Sequence, residues 1–353
     1  MKKFLFCLLA VCMFAFGAFA FTACDEEAAE EGVVTLVNIS NPAGEISPVA
    51  DFDYMVAAEP AVSAKVKGSA GNPDGSRLEI VGDLQELYGE DGYPQAVLVA
   101  KKSLIEAEPA FIAAFTAAAQ ASCEWVNQSD VDISAVVSAV QSHLPDDATP
   151  TFSANNLTAD VIANCAIEYV SAANSKEDVT AFLEELSAVG EQTYSVADGF
   201  FYTGTATAGN VTDTSLAIDV FMPDGAPALS MAQLLSNESA FGSENFSYNV
   251  VAATSIQAYV TGNDPQAEIA VIPVNAAAQL LGTGSEYQML ATLTHGNIYI
   301  LSAKHTDTQL TAENLSLLEG TRVGCIQLSN VVGLTLRSVL RANGIEYTVA
   351  SDT

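Results

Sequence analysis

Four stretches of this chain set short polar side chains where an apolar run gives way to a helical pattern. They are Ala58-Glu59-Pro60, Met222-Pro223-Asp224-Gly225-Ala226-Pro227, Pro273-Val274-Asn275-Ala276 and Gln327-Leu328-Ser329-Asn330-Val331-Val332-Gly333. The chemistry such junctions perform is capture: beyond the carboxyl ends of strands, free backbone N–H groups at helix starts converge with short side chains. Pro60 and Pro227 suit the first helical position, where a missing N–H costs nothing. Any one junction is also explained as a simple cap, but four together point to a ligand cleft. Tyr93, Gln95, His295 and Asn297 stand beside further strand ends. With Glu59, Asp224, Gly225, Asn275, Ser329 and Asn330 they are predicted to gather around one cavity.

Glu59 and Asp224 carry the formal charges of the four junctions, and no arginine lies in them. An anion would have to rely on backbone N–H groups and the hydroxyls of Ser329 and Thr294, so a neutral or amine-bearing molecule is favoured, for instance a heterocycle stacked on Tyr93. Glu59 reads equally well as a carboxylate placed at the positive end of a helix. Catalysis finds little support. Gly282-Thr283-Gly284-Ser285 lacks the pattern of a nucleophile elbow, and no glycine-rich loop ends in Lys-Ser or Lys-Thr. The cysteines have no metal-ligand spacing, the three histidines are scattered, and no cofactor motif is present.

The elements that must position these residues alternate between strand-like runs and helical patterns, which predicts an α/β architecture with mainly parallel sheets. Strands are expected at 33–39, 51–58, 96–100, 216–221, 249–252, 269–273, 289–293, 298–302, 322–327 and 347–349. Helices are expected at 61–67, 109–126, 155–169 (Asn156 as cap), 176–189 (Ser175 as cap), 226–235, 255–261, 275–281, 311–318 and 332–342. Residues 191–214 shift to Gly, Thr, Ser and Ala and read as a linker or a peripheral hairpin.

The start of the chain bears on where it works. Lys2 and Lys3 precede an apolar run, then Thr22-Ala23-Cys24 and the acidic Asp25-Glu26-Glu27. This describes an export signal over 1–23 with a lipoprotein processing site, making Cys24 the lipidated N-terminus and 24–32 an acidic tether. An ordinary secretory cleavage nearby is the alternative, and either places the mature chain outside the cytoplasm. The 353 residues are half hydrophobic, enough for globular lobes of ordinary size. Twelve basic against 43 acidic residues give a formal charge of −31, a field that excludes nucleic acid as a partner. Cys123 and Cys165 both sit on helical patterns, and an exported chain permits a bridge between them. Cys325 reads as a buried strand residue.

Residues 217–343, with Pro223-Asp224-Gly225-Ala226-Pro227, Ile256-Gln257-Ala258-Tyr259-Val260-Thr261-Gly262, Pro273-Val274-Asn275-Ala276-Ala277, Thr294-His295-Gly296-Asn297 and Gln327-Leu328-Ser329-Asn330, resemble the front half of an ABC-transporter substrate-binding lipoprotein. The relevant group binds nitrate, sulfonate, taurine and thiamine precursors. Residues 33–189, with Met55-Val56-Ala57-Ala58-Glu59-Pro60-Ala61, Ile80-Val81-Gly82-Asp83-Leu84 and Gly92-Tyr93-Pro94-Gln95-Ala96-Val97-Leu98-Val99-Ala100, resemble the back half. The halves stand in reversed order, so the chain reads as a circular permutation of the family, or as an artefact of assembly.

The resemblance implies a two-lobed periplasmic-binding-protein type 2 fold with the ligand cleft between lobes. One lobe would combine 93–190 with 215–318, the other 33–92 with 319–353, and 191–214 would be the linker that joins what resemble the family's usual ends. It further implies a small-molecule ligand, an ABC permease as partner, and a membrane anchor through the N-terminal lipid on the outer face of the cytoplasmic membrane. A free-standing lipoprotein sensor is the rival reading. Thiamine-precursor synthases resemble these binding proteins, but such an enzyme would need clustered His and Cys for iron chemistry, which this chain lacks.

Overall fold

The computed structural model describes residues 32–40, 42–89, 92–237, 241–282 and 286–350. The export signal and Cys24 lie outside the described residues. Twelve strands form two six-stranded sheets among those residues. The first sheet holds β1 (Val34–Ile39), β2 (Tyr54–Ala58), β3 (Glu79–Asp83), β10 (Ile298–Ser302), β11 (Arg322–Ile326) and β12 (Tyr347–Val349), in the order β12-β1-β11-β2-β10-β3. The second holds β4 (Ala96–Lys101), β5 (Ile167–Ser171), β6 (Ala217–Pro223), β7 (Asn245–Val251), β8 (Ile269–Pro273) and β9 (Tyr287–Thr294), in the order β5-β9-β4-β8-β6-β7.

Both sheets are mixed, which corrects the expectation of mainly parallel pairing. β10 runs antiparallel to β2 and β3, β4 antiparallel to β8 and β9, and β5 antiparallel to β9. Continuous apolar runs such as Ala96-Val97-Leu98-Val99-Ala100 are buried on both faces and carry no mark of direction. β10 belongs with β2 and β3, so the expected division after residue 318 moves back to the passage between Thr294 and Ile298. β12 pairs parallel with β1, Val34 opposite Tyr347. A chain joining 349 to 34 would therefore need a crossover along the strand length, not a hairpin.

Helices cover the sheets with apolar stripes. In Pro109–Val126 a proline opens the helix, and Phe111, Ile112, Phe115, Ala119, Cys123 and Val126 recur at helical spacing to face the second sheet's core. Another core runs from β1, β2 and β3 past the helices Ala172–Val189 and Val331–Ala342 to β4 and β8, so one apolar cluster joins the two sheets. Residues 155–169, expected as one helix, divide into the short helix Ala159–Ala163, capped by the Thr158 hydroxyl, and β5. Ser175 is not a cap but lies buried inside the helix Ala172–Val189, its hydroxyl donating to the Ser171 carbonyl. The stretch 226–235 breaks at Met231 into Ala226–Ser230 and Ala232–Leu235.

Residues 191–214 are more than a linker. Tyr194, Phe200, Phe201 and Val211 are buried, and the Tyr202 N–H donates to Met289 O in β9. No helix among the described residues is long and apolar enough to cross a membrane.

Candidate functional site

The chain passes between the sheets twice, from β3 to β4 and from β9 to β10, and the two crossings run side by side. Tyr93 N–H donates to His295 O at 3.2 Å, and Gln95 N–H to Thr294 O at 2.9 Å. Glycine is required on each crossing. A Cβ on Gly92 (φ +69°) would sit 2.2 Å from His295 O, and one on Gly296 (φ +96°) 2.8 Å from Gln85 Cγ and 2.9 Å from Tyr93 Cζ.

Beside these crossings the pairing registers bring one edge of each sheet to a common place. In the first sheet it is formed by the ends of β2 and β11 and the start of β10; in the second, by the ends of β6, β7, β8 and β9 and the start of β4. A cavity of about 470 Å³ opens there, lined from the first sheet by Ala58, Glu59, Asn297, Ile326, Gln327 and Asn330. Gln95, Asp224, Gly225, Pro273 and Thr294 line it from the second, and Leu144, Ala148, Thr149 and Thr151 complete the wall from the loop after the helix Ile133–Gln141. Alanine, proline and branched aliphatic side chains make up most of the surface, and no Lys, Arg or aromatic residue lines it among the described residues. Its size is that of an ordinary small-molecule site.

Six of the ten predicted residues meet at this cavity: Glu59, Gln95, Asp224, Gly225, Asn297 and Asn330. Asn297 is 2 % exposed and donates through Nδ2 to the Glu59 carbonyl at 3.1 Å, while its own carbonyl accepts the Glu59 N–H at 2.8 Å. The first bond fixes the amide's orientation and leaves Oδ1 covered from solvent without a donor. Asp224 accepts the Thr151 N–H on Oδ2 at 2.7 Å, and its Oδ1 has no partner. Gln95 Oε1 is in the same condition. Asn330 caps the helix Val331–Ala342, Oδ1 accepting the Val331 N–H at 2.9 Å. Gly225 (φ +115°) opens the helix Ala226–Ser230, 3.8 Å from Pro60 Cδ if a Cβ were added.

Glu59, 2 % exposed, has its carboxylate engaged at a helix start. Ser63 donates its N–H to Oε2 at 3.0 Å and its hydroxyl to Oε1 at 2.6 Å. Burial raises its pKa above the ordinary carboxylate value, against the bonds from Ser63 and Asn164 that favour the charged form. The capping reading of Glu59 therefore describes its carboxylate.

Four predicted residues lie elsewhere. Tyr93 is buried in the core, stacked on Phe182 at 5.2 Å between ring centroids and edge-on to Tyr88, so it offers no face to a ligand. An aromatic ring beside a strand start gains more from the apolar cluster than from the cleft. His295 sits near Glu168 and Asp178; burial lowers its pKa, opposed by those carboxylates. Asn275 is buried in the first turn of the helix Val274–Leu281 and does not line the cavity, and Ser329 is exposed on its loop. The expected bridge between Cys123 and Cys165 is not formed. Cys123 Sγ is directed to Ser230 O and Cys165 Sγ to Val161 O within its own helical turn, both as free thiols. Burial pushes the Cys123 and Cys325 thiols up to about 12.

Sequence reasoning missed Thr151, Leu144 and Thr149, which reach the site from a loop far from the strand-end junctions. A signal was present in the turn-forming Pro145-Asp146-Asp147-Ala148-Thr149-Pro150. No group of His, Cys, Asp and Glu among the described residues is arranged to hold a metal. Comparison with models of known protein families, with curated proteins and with solved structures finds no match.

Proposed function

We propose that this chain is an extracytoplasmic solute-binding lipoprotein. It captures a small molecule in the cavity between the two sheets and delivers it to an ABC permease, held to the outer face of the cytoplasmic membrane by lipid at Cys24. The observation that carries this reading is the cavity wall itself. Strand ends of both sheets meet there, and three of the lining residues, Gln95, Asp224 and Asn297, each carry a covered oxygen that has no donor. An unmet buried acceptor costs about 1–3 kcal/mol, and three in one wall are accounted for when a shift of the wall uncovers them and a ligand supplies the donors.

The adjacent crossings suit the same role. Two short strands of chain joining two sheets act as a hinge of a two-lobed, type 2 binding-protein fold, in which ligand selects the closed state and the permease reads it. Native mass spectrometry of the mature protein isolated from its own envelope fraction tests capture. The expected result is a small-molecule adduct, retained less by Asn297→Ala than by wild type. A mass equal to the bare chain, together with no heat on titration with an envelope small-molecule extract, would overturn the proposal.

A further inference from the structure

Resting on that reading of the cavity as a capture site, we infer that its ligand is a cationic aliphatic amine: an ammonium group held at Asp224, Asn297 and Gln95, with a saturated body against the aliphatic wall. The polarity of the stranded atoms decides the head group. The Asn297 amide is fixed by its bond to the Glu59 carbonyl, so what it offers is an acceptor, and Asp224 Oδ1 is an acceptor by nature. Each of these atoms calls for a donor.

Charge points the same way. The ionisable lining residues are Glu59 and Asp224, and no Lys, Arg or His joins them. Glu59 is engaged by Ser63 through both oxygens, whereas Asp224 has one oxygen on the Thr151 N–H and one unmet. A carboxylate with one oxygen anchored to backbone and the other unpaired offers that second oxygen to a single N⁺–H group once a shift of the wall uncovers it. A nitrate, sulfonate or carboxylate ligand would face these acceptors with no cation to offset the repulsion.

The body of the ligand follows from what is absent among the lining residues. No Phe, Tyr or Trp is present to stack on a flat ring, since Tyr93 is committed to Phe182. Alanine, proline, valine and isoleucine surfaces fit a saturated chain or ring by simple burial.

Isothermal titration of the mature protein with four probes of similar size tests this: cyclohexylmethylamine, cyclohexylmethanol, cyclohexanecarboxylate and benzylamine. Cyclohexylmethylamine should bind at least about tenfold tighter than the alcohol or the carboxylate and at least as tightly as benzylamine. Asp224→Asn should bring amine and alcohol to within about threefold, and Gln95→Glu, which adds a carboxylate, should tighten the amine by about tenfold or less. A carboxylate probe that binds as well as the amine would overturn the inference, as would an amine affinity unchanged in both variants or a clear preference for benzylamine. Failure of all four probes at about 10 mM would overturn it too. In that case a retained adduct in native mass spectrometry would leave capture standing while rejecting this ligand class.

Discussion

Two of the places where this molecule buries side-chain oxygen treat it in opposite ways. At the joint between the helix Pro109–Val126 and residues 191–214, the Glu108 carboxylate, 3 % exposed, accepts the Thr212 N–H at 2.8 Å, the Thr212 hydroxyl at 2.7 Å and the Asp213 N–H at 3.0 Å. In the cavity wall, Asn297 is buried to the same degree, yet its Oδ1 meets no donor, and neither do Asp224 Oδ1 and Gln95 Oε1. The fold therefore supplies donors to a buried oxygen where fastening is the task. Covered oxygens without a donor also occur singly at Tyr93, Asn275, Thr292 and Thr335, but Gln95, Asp224 and Asn297 line one cavity, and such departures from full pairing gather at sites of function.

Removing the satisfied oxygen should have the largest effect. Glu108→Ala strips three donors of their acceptor and unfastens the end of 191–214, so it should destabilise by about 2 kcal/mol, read as a lowered midpoint in urea at neutral pH. The same joint sets what a flexible replacement of 191–214 would do. With Phe200 and Phe201 buried against the second sheet, such a replacement should lower stability by more than Glu108→Ala does. A midpoint unchanged by Glu108→Ala would erase one side of the comparison.

Removing an unmet oxygen should do the reverse. Gln95→Met keeps the length of the side chain and deletes a covered acceptor without a partner, so stability should hold or rise by up to about 1 kcal/mol. Retention of the ligand adduct should fall in the same variant. Stability falling together with binding would show that Gln95 is a structural residue and that its oxygen is not kept for a ligand.

The asymmetry also explains what the sequence could tell. Apolar runs and turn signals located most strands closely, with 269–273, 298–302 and 347–349 read at their observed bounds, because burial on both faces writes a continuous hydrophobic stretch. Direction is not written in such a run, so the reversed strands β4 and β10 were not distinguishable from their neighbours. The strand-end argument survived this, since an antiparallel strand begins at the edge where its neighbours end; Gln95 and Asn297 reach the cavity in that way. It failed where a residue beside a strand end is buried away from the cavity: Tyr93 in the aromatic cluster, Asn275 in the first turn of its helix. The bond from Thr151 to Asp224 joins residues 73 positions apart, and no local pattern announces it. Cysteine pairing failed for a related reason, because helical context does not specify which way a thiol points.

The smallest effect, and the sharpest test of the contrast, is the pH dependence of the two buried glutamates. Burial raises the Glu59 pKa and the bonds from Ser63 and Asn164 do not reverse it. For Glu108 burial also acts upward, but the donors on Thr212 and Asp213 outweigh it and the net shift is downward. Linkage gives the signs. A raised folded value means that Glu59 contributes stability below the ordinary carboxylate range and loses it as pH rises through the folded value. A lowered value means that Glu108 contributes stability above that range and loses it as pH falls. Measured as the stability difference between wild type and a glutamine variant, the Glu59→Gln difference should shift toward the variant on going from about pH 4 to pH 7, while the Glu108→Gln difference should shift toward wild type. Parallel slopes would mean that both carboxylates sit in equivalent environments, and that the donors around Glu108 are not what sets the joint apart from the cavity wall.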